Sequence, residues 1–267
     1  MYRAPLLAVV LSLAPMPAFA QRAAVATGSE ARLQLPEDAT EVEIKTKDSV
    51  ALRAAYFEPR KSSQLAPGAI LVHDSGRSGD DLYPLAERMS KTGFAVLVVD
   101  LRAHGRSATK SLDWEKLDDD EKKSAWALAV RDLEASSAWL RDRREVHATN
   151  LTVVGDKAGC GLAARYALRD ENVRSIVLVE PTSEELGIDL KGDLTDLGGL
   201  PTYIVSPKET AKSTEAMIQE AHQAAGGNPY IELMVCSAKK GDDKPTMDRR
   251  AVASIAKWTK EKAFPKK

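Results

Sequence analysis

Asn150-Leu-Thr-Val-Val-Gly155-Asp-Lys157-Ala-Gly159-Cys-Gly-Leu-Ala-Ala-Arg-Tyr-Ala-Leu-Arg169 reads as an apolar strand that turns sharply, through G-x-x-x-G, into an Ala-rich helix. Gly155 and Gly159 stand where such a turn needs residues without a side chain, so that the strained backbone forms and the helix packs close to the strand. In a G-x-S-x-G elbow the central side chain is thrust out at the top of a sheet and acts as a nucleophile. Here that position is Lys157. The sequence therefore predicts an intact backbone device without the serine oxygen it displays.

Outward from the elbow, continuous apolar runs recur at 69–73, 95–100, 173–179, 202–205 and 230–235, the pattern of parallel strands covered on both faces. Stretches with helical periodicity separate them: Leu82–Thr92, Asp119–Arg143, Ala158–Leu168, Glu209–Ala225 and Thr246–Lys262. Ahead of these, Glu41–Thr46 and Val50–Phe57 alternate and are expected as an antiparallel pair at a sheet edge. Strand and helix in alternation predict an α/β fold: a mostly parallel, doubly wound, eight-stranded sheet with helices on both faces. The chain shows neither an internal repeat nor a Pro/Gly linker, and residues 40–267 are expected as one domain behind an arm, 21–39.

Residues 1–20 have the build of a secretory signal: Arg3, an apolar run from Leu6 to Leu13 too short to span a bilayer, then Ala18-Phe19-Ala20. Export to the periplasm or medium is expected, with a start near Gln21. A formal net charge of −1 over 267 residues, with both signs interleaved, argues against nucleic acid or an anionic membrane as partner. An unknown small molecule or protein is left as partner, and no cofactor or metal is expected. The carboxylate-rich segment 113–123 lacks the glycine-punctuated spacing of a calcium loop and reads as a solvated approach to a helix.

Three local patterns, in this order and spacing, give a resemblance to the α/β-hydrolase superfamily: Leu71-Val-His-Asp-Ser-Gly-Arg77, Asp100-Leu-Arg-Ala-His-Gly-Arg-Ser107, and the elbow. The resemblance covers nearly all the chain after the leader and is nearest the compact, lidless serine aminopeptidase and dienelactone hydrolase type, since only about twenty residues separate the sixth strand from the seventh. It implies a Ser, Asp or Glu, His triad in chain order. On that pattern the nucleophile slot is Lys157 and the acid slot, after the seventh strand, is Glu209. The base slot, after the last strand, falls to Lys240 or, one register away, Lys239, because no histidine follows His222. The triad is thus degenerate at two of three positions. A general base must be unprotonated at working pH, and loss of the serine or histidine of a triad costs on the order of 10⁶-fold in subtilisin.

The resemblance also places an oxyanion hole at the backbone amides of Ser75 and Ala158. With Lys157, Lys240 and the N-terminus of the elbow helix, these amides are candidates for a small-anion site. The competing reading has Lys157 paired internally with Glu209 or Asp156. His73 and His104 are expected to hold loops at strand ends, Ser75 and Ser107 to bond within turns, and Trp114, Trp126 and Trp139 to pack in the core. Cys160 and Cys236 are the only cysteines. The resemblance places their strands three spacings apart, roughly 14 Å, beyond the ~7 Å Cα limit for a disulfide, so both are expected as buried thiols. Cys160 lies one turn into the helix, without a histidine partner, and is a poor substitute nucleophile.

Two functions follow: a non-catalytic relative that binds a ligand or partner, or an enzyme by another route, either a hydrolase of esterase, lactonase or peptidase type or one with Lys157 as nucleophile and Lys240 as its cationic neighbour.

Overall fold

The computed structural model describes residues 35–60, 65–226, 230–236 and 249–264. The leader, most of the 21–39 arm and both base-slot lysines, Lys239 and Lys240, lie outside them.

Eight strands form one sheet: β1 (Ala39–Lys45), β2 (Ala51–Phe57), β3 (Ala66–Val72), β4 (Ala95–Asp100), β5 (Val146–Asp156), β6 (Val173–Val179), β7 (Thr202–Pro207) and β8 (Ile231–Cys236). Their spatial order is β1-β2-β4-β3-β5-β6-β7-β8. Only the β1–β2 and β2–β4 pairings are antiparallel; all the others are parallel. This is the expected α/β sheet with its antiparallel edge.

The period of two along the strands divides the core. Ile70 and Val72 of β3, with Leu97 and Val99 of β4, point into one apolar cluster, whereas Ala69, Leu71, Val96 and Val98 point into the other. The first is closed by Trp126 of α2 (Asp119–Leu128), Leu133 of α3 (Val130–Arg141), Leu162 of α4 (Gly159–Ala167), Leu194 of α5 (Leu190–Asp196) and Met217 of α6 (Ala211–Ala224). The second is closed by Leu85 and Met89 of α1 (Tyr83–Lys91), and by Ile255 and Trp258 of α7 (Arg249–Ala263). Helices therefore seal both faces of strands that are apolar on both sides.

One expectation needs correction, and one segment adds elements that the sequence did not signal. The single helix read over Asp119–Arg143 is two, because Ala129 takes ψ −13° and its N–H bonds the carbonyl of Trp126 three residues back. Amphipathic periodicity continues across that tightened turn, so the pattern conceals it. Between β6 and β7 the chain also forms a hairpin, Glu184–Glu185 with Ile188–Asp189, and the seven-residue α5. Asp189 caps α5 by accepting from the Gly192 N–H at 3.0 Å. These short elements bury too few residues to leave a periodic signal.

Candidate functional site

The elbow forms at the carboxyl end of β5. Lys157 holds φ +47°, in the left-handed region that side chains rarely adopt. Its N–H bonds the Val179 carbonyl of β6 at 2.8 Å, and its own carbonyl accepts from Cys160 at 2.9 Å to start α4. A Cβ at Gly155 would lie 2.4 Å from the Gly159 oxygen, and one at Gly159 would lie 2.7 Å from the carbonyl oxygens of Val72 and His73. Both glycines are therefore required by close backbone approach, as the motif suggested.

The amides of Ser75 and Ala158 come together on one oxygen. Asp74 Oδ1 accepts from Ser75 N at 2.8 Å and from Ala158 N at 3.2 Å. Two converging N–H groups make the geometry of an oxyanion hole, and the anion they hold is the chain's own carboxylate. A free anion at this point must displace Asp74. Among the described residues Lys157 forms no ion pair, so neither Asp156 nor Glu209 neutralises it by direct contact. Glu209 is exposed on the turn before α6, and no hydrogen bond or ion pair ties it to the elbow.

Three other carboxylates gather here, and sequence reasoning missed two of them. Asp156 is buried, at 9 % exposure, and its Oδ1 is enclosed without a hydrogen-bond partner. Burial first, then the Asp74 carboxylate, pushes its pKa up to about 7, against the opposing pull of Lys157. Glu180 follows Val179, which registers with Asp156, so it stands beside Lys157 at the neighbouring strand end. It too has a positive φ, +54°, and an enclosed Oε2 without a partner. Glu185, from the hairpin, is raised by burial and by Asp74. An acidic residue directly after an apolar strand, as at Glu180, was the available signal.

The histidines hold loops. His73 Nε2 accepts from the Leu101 N–H at 3.0 Å, and His104 Nε2 accepts from the Gly76 N–H at 3.1 Å. Their Nδ1 atoms face the carbonyls of Asp74 and Arg102, which assigns the proton to Nδ1 in both rings. Burial depresses both, His104 to about 3. His104 packs 4.3 Å from the Trp114 ring, with Trp126 beyond, and Trp139 stacks edge-on to Tyr56. Ser107 donates to the Asp100 carbonyl within its own loop and accepts from the Arg53 N–H of β2, so it also ties that loop to the neighbouring strand.

Cys160 is fully buried, its thiol donating to the Gly155 carbonyl and its pKa raised by burial, the reverse of what a thiolate nucleophile needs. No disulfide joins it to Cys236, which is also buried. No group of three His, Cys, Asp or Glu among the described residues is placed to hold a metal ion, and none of the described helices is long and apolar enough to cross a membrane.

By sequence, no curated protein matches the chain. Solved structures resemble it closely in fold. The esterase Pf2001 of Pyrococcus furiosus aligns with a TM-score of 0.65 at 17% identity, over 85% of this chain and 91% of that one. Dienelactone hydrolase from Anabaena variabilis aligns at 0.62 and 17%, over 84% and 97%. DcsB, in complex with its substrate analogue, aligns at 0.66 and 14%, over 84% and 99%. The family model for the alpha/beta hydrolase fold matches residues 69–216, the span from β3 through the elbow into α6. On that match and on the strand order, the chain belongs to the α/β-hydrolase fold family.

Proposed function

We propose that this protein is an exported, non-catalytic α/β-hydrolase-fold protein whose old catalytic centre serves binding. The observation that carries the reading is Asp74: its carboxylate occupies the amides of Ser75 and Ala158, where acyl chemistry would need room for a developing oxyanion. Lys157 at the elbow apex adds an amine where a hydroxyl would attack. A serine nucleophile works through an adjacent base, and a lysine nucleophile needs desolvation or a neighbouring cation. Lys157 is only half-buried and faces Asp156 and Glu185 within electrostatic reach, an anionic setting. The Schiff-base alternative is thus the weaker reading, and a small-anion site in the wild-type protein competes with the resident Asp74.

The test is turnover of a panel of short-chain aryl esters, lactones and aminoacyl amides by the wild type and by Lys157→Ala at equal concentration. Both are expected to match buffer. Activity in the wild type that disappears in Lys157→Ala overturns the reading. Export is tested separately: the exported form is expected to begin near Gln21, and an intracellular chain that retains residues 1–20 refutes it.

A further inference from the structure

The sheet separates the charges of its helices. On one face, α1 and α7 carry seven Lys or Arg against two Glu. On the other, α2 to α6 carry seven Lys or Arg against nine Asp or Glu. The net charge of −1 is therefore an average over two unlike faces, and the balance that argues against an anionic partner for the whole chain does not hold for the α1/α7 face. The segments outside the described residues do not restore it. Residues 1–34, 61–64 and 265–267 each contain more Lys and Arg than Asp and Glu, and 237–248 contains three of each sign.

Helical periodicity turns these cations outward. In α7 the exposed row is Arg249, Ala253, Lys257, Lys260 and Phe264, spaced by three and four, while Val252, Ile255, Ala256 and Thr259 are buried toward the sheet. Pro84, Arg88 and Lys91 form the matching exposed row of α1. The two rows adjoin, because Arg88, Lys91 and Arg249 line one groove. Lys257, Lys260 and Phe264 line a second, farther along α7. Glu87 lies 3.4 Å from Lys91 and Glu261 4.0 Å from Lys257, exposed pairs that neutralise only those two lysines. Among the described residues Arg88, Arg249 and Lys260 form no ion pair.

The arrangement selects the partner. The cations run the length of the 15-residue α7, about 22 Å, instead of converging on a point, so they suit a surface of many anionic groups and not one small anion. Pro84, Ala253 and Phe264 stand exposed among them, Phe264 at 37 %. Apolar groups in a basic row gain from acyl chains beneath a headgroup layer, with the lysine stems lying along them, and gain nothing from a phosphodiester backbone.

We propose that the α1/α7 face docks the protein on an anionic phospholipid surface, with Arg88, Lys91, Arg249, Lys257 and Lys260 over the headgroups and Phe264 reaching below them. The attachment is reversible and salt-sensitive. It goes beyond the reading of the elbow and is independent of it, since the elbow lies at the carboxyl edge of the sheet and these helices on its face.

The test is co-sedimentation of the whole protein with vesicles of phosphatidylglycerol and phosphatidylcholine in a one-to-two ratio, and with vesicles of phosphatidylcholine alone. Binding is expected to the anionic vesicles only, and to be reversed by about 0.5 M sodium chloride. Each basic residue near an anionic leaflet strengthens binding about fivefold, so Lys257→Glu with Lys260→Glu should lower the partition coefficient at least about tenfold, as should Arg88→Glu with Lys91→Glu. Lys123→Glu with Lys212→Glu, on the opposite face, should leave it unchanged. Phe264→Ala should weaken binding without altering its salt dependence. Each variant is compared at an unchanged Tm, and if one pair of reversals does not fold, the other decides. Equal binding to neutral vesicles, binding retained in the α1 and α7 reversals, equal loss in the opposite-face control, Phe264→Ala that binds as the wild type does, or capture of duplex DNA or polyglutamate without capture of vesicles overturns the proposal.

Discussion

Lys157 pays a local backbone cost, about 1–2 kcal/mol for a side chain in the left-handed region, and the surrounding contacts hold it there. Gly159 packs against the Val72 and His73 carbonyls, and the Lys157 amide is tied to Val179. The two positions make opposite predictions. Gly159→Ala puts a Cβ 2.7 Å from two backbone oxygens, which cannot swing aside as a side chain would. It is expected to lower stability by about 2–4 kcal/mol, read as a fall in denaturant midpoint with an unchanged slope. Lys157→Gly removes the Cβ that opposes φ +47° and is expected to be neutral or stabilising by up to about 1 kcal/mol. A large loss in Lys157→Gly would show that the lysine side chain itself supports the fold.

The elements are locked at their ends by buried polar contacts. Arg102, in the turn after β4, is 4 % exposed and donates through its backbone N, Nε and Nη2 to Asp132 of α3, which is fully buried. Its Nη1 also reaches Asp48 in the β1–β2 turn at 2.9 Å. Removing one partner of such a pair leaves an uncompensated buried charge, so Arg102→Ala is expected to cost about 3–5 kcal/mol. Arg102→Met with Asp132→Leu should cost less than Arg102→Ala alone, which equilibrium unfolding of both variants checks. A double variant worse than the single would mean that shape, not charge, is what Arg102 supplies. At this scale the sequence was most informative where one physical pattern repeats. The strands β3, β4 and β6 are apolar on both faces, and the residues expected for them match the structure closely. The Ala129 break and the Asp189-capped α5 depend on single capping and turn contacts that periodicity does not register. At the site, the elbow glycines and the Ser75 and Ala158 amides were legible because backbone geometry fixes them. Asp74 in the cradle was not, because which way a loop carboxylate points depends on contacts between residues 84 positions apart.

Over the whole molecule, buried titratable groups pull stability in opposite directions as pH changes. His104 is depressed to about 3 by burial, and His73 is depressed as well. Each must stay neutral because its Nε2 accepts a backbone N–H. Between pH 6.5 and about 3 the unfolded chain binds a proton at His104 that the folded one refuses, and His73 acts in the same direction. The contribution of both is therefore complete above about 6.5 and is lost as pH falls, for His104 by about 1.4 kcal/mol per pH unit down to about 3. Asp156 works the other way. Its folded pKa of about 7 lies above the ordinary 3.8, so the folded chain holds a proton that the unfolded one releases, and its contribution is complete below 3.8 and lost as pH rises through 7. Glu185 and Asp193, both raised by burial, have the same sign. In the wild type these slopes oppose one another between pH 4 and 6.5, and stability then declines as Asp156 loses its proton around pH 7. Asp156→Asn removes the falling slope and leaves the histidines unopposed. Its unfolding free energy is expected to climb more steeply from pH 4 to 6.5 and then level off, ending above wild type at pH 8 by up to about 4 kcal/mol. Urea unfolding of both proteins across pH 4 to 8 measures this, and parallel curves would show that Asp156 titrates in the folded protein as it does in the unfolded chain.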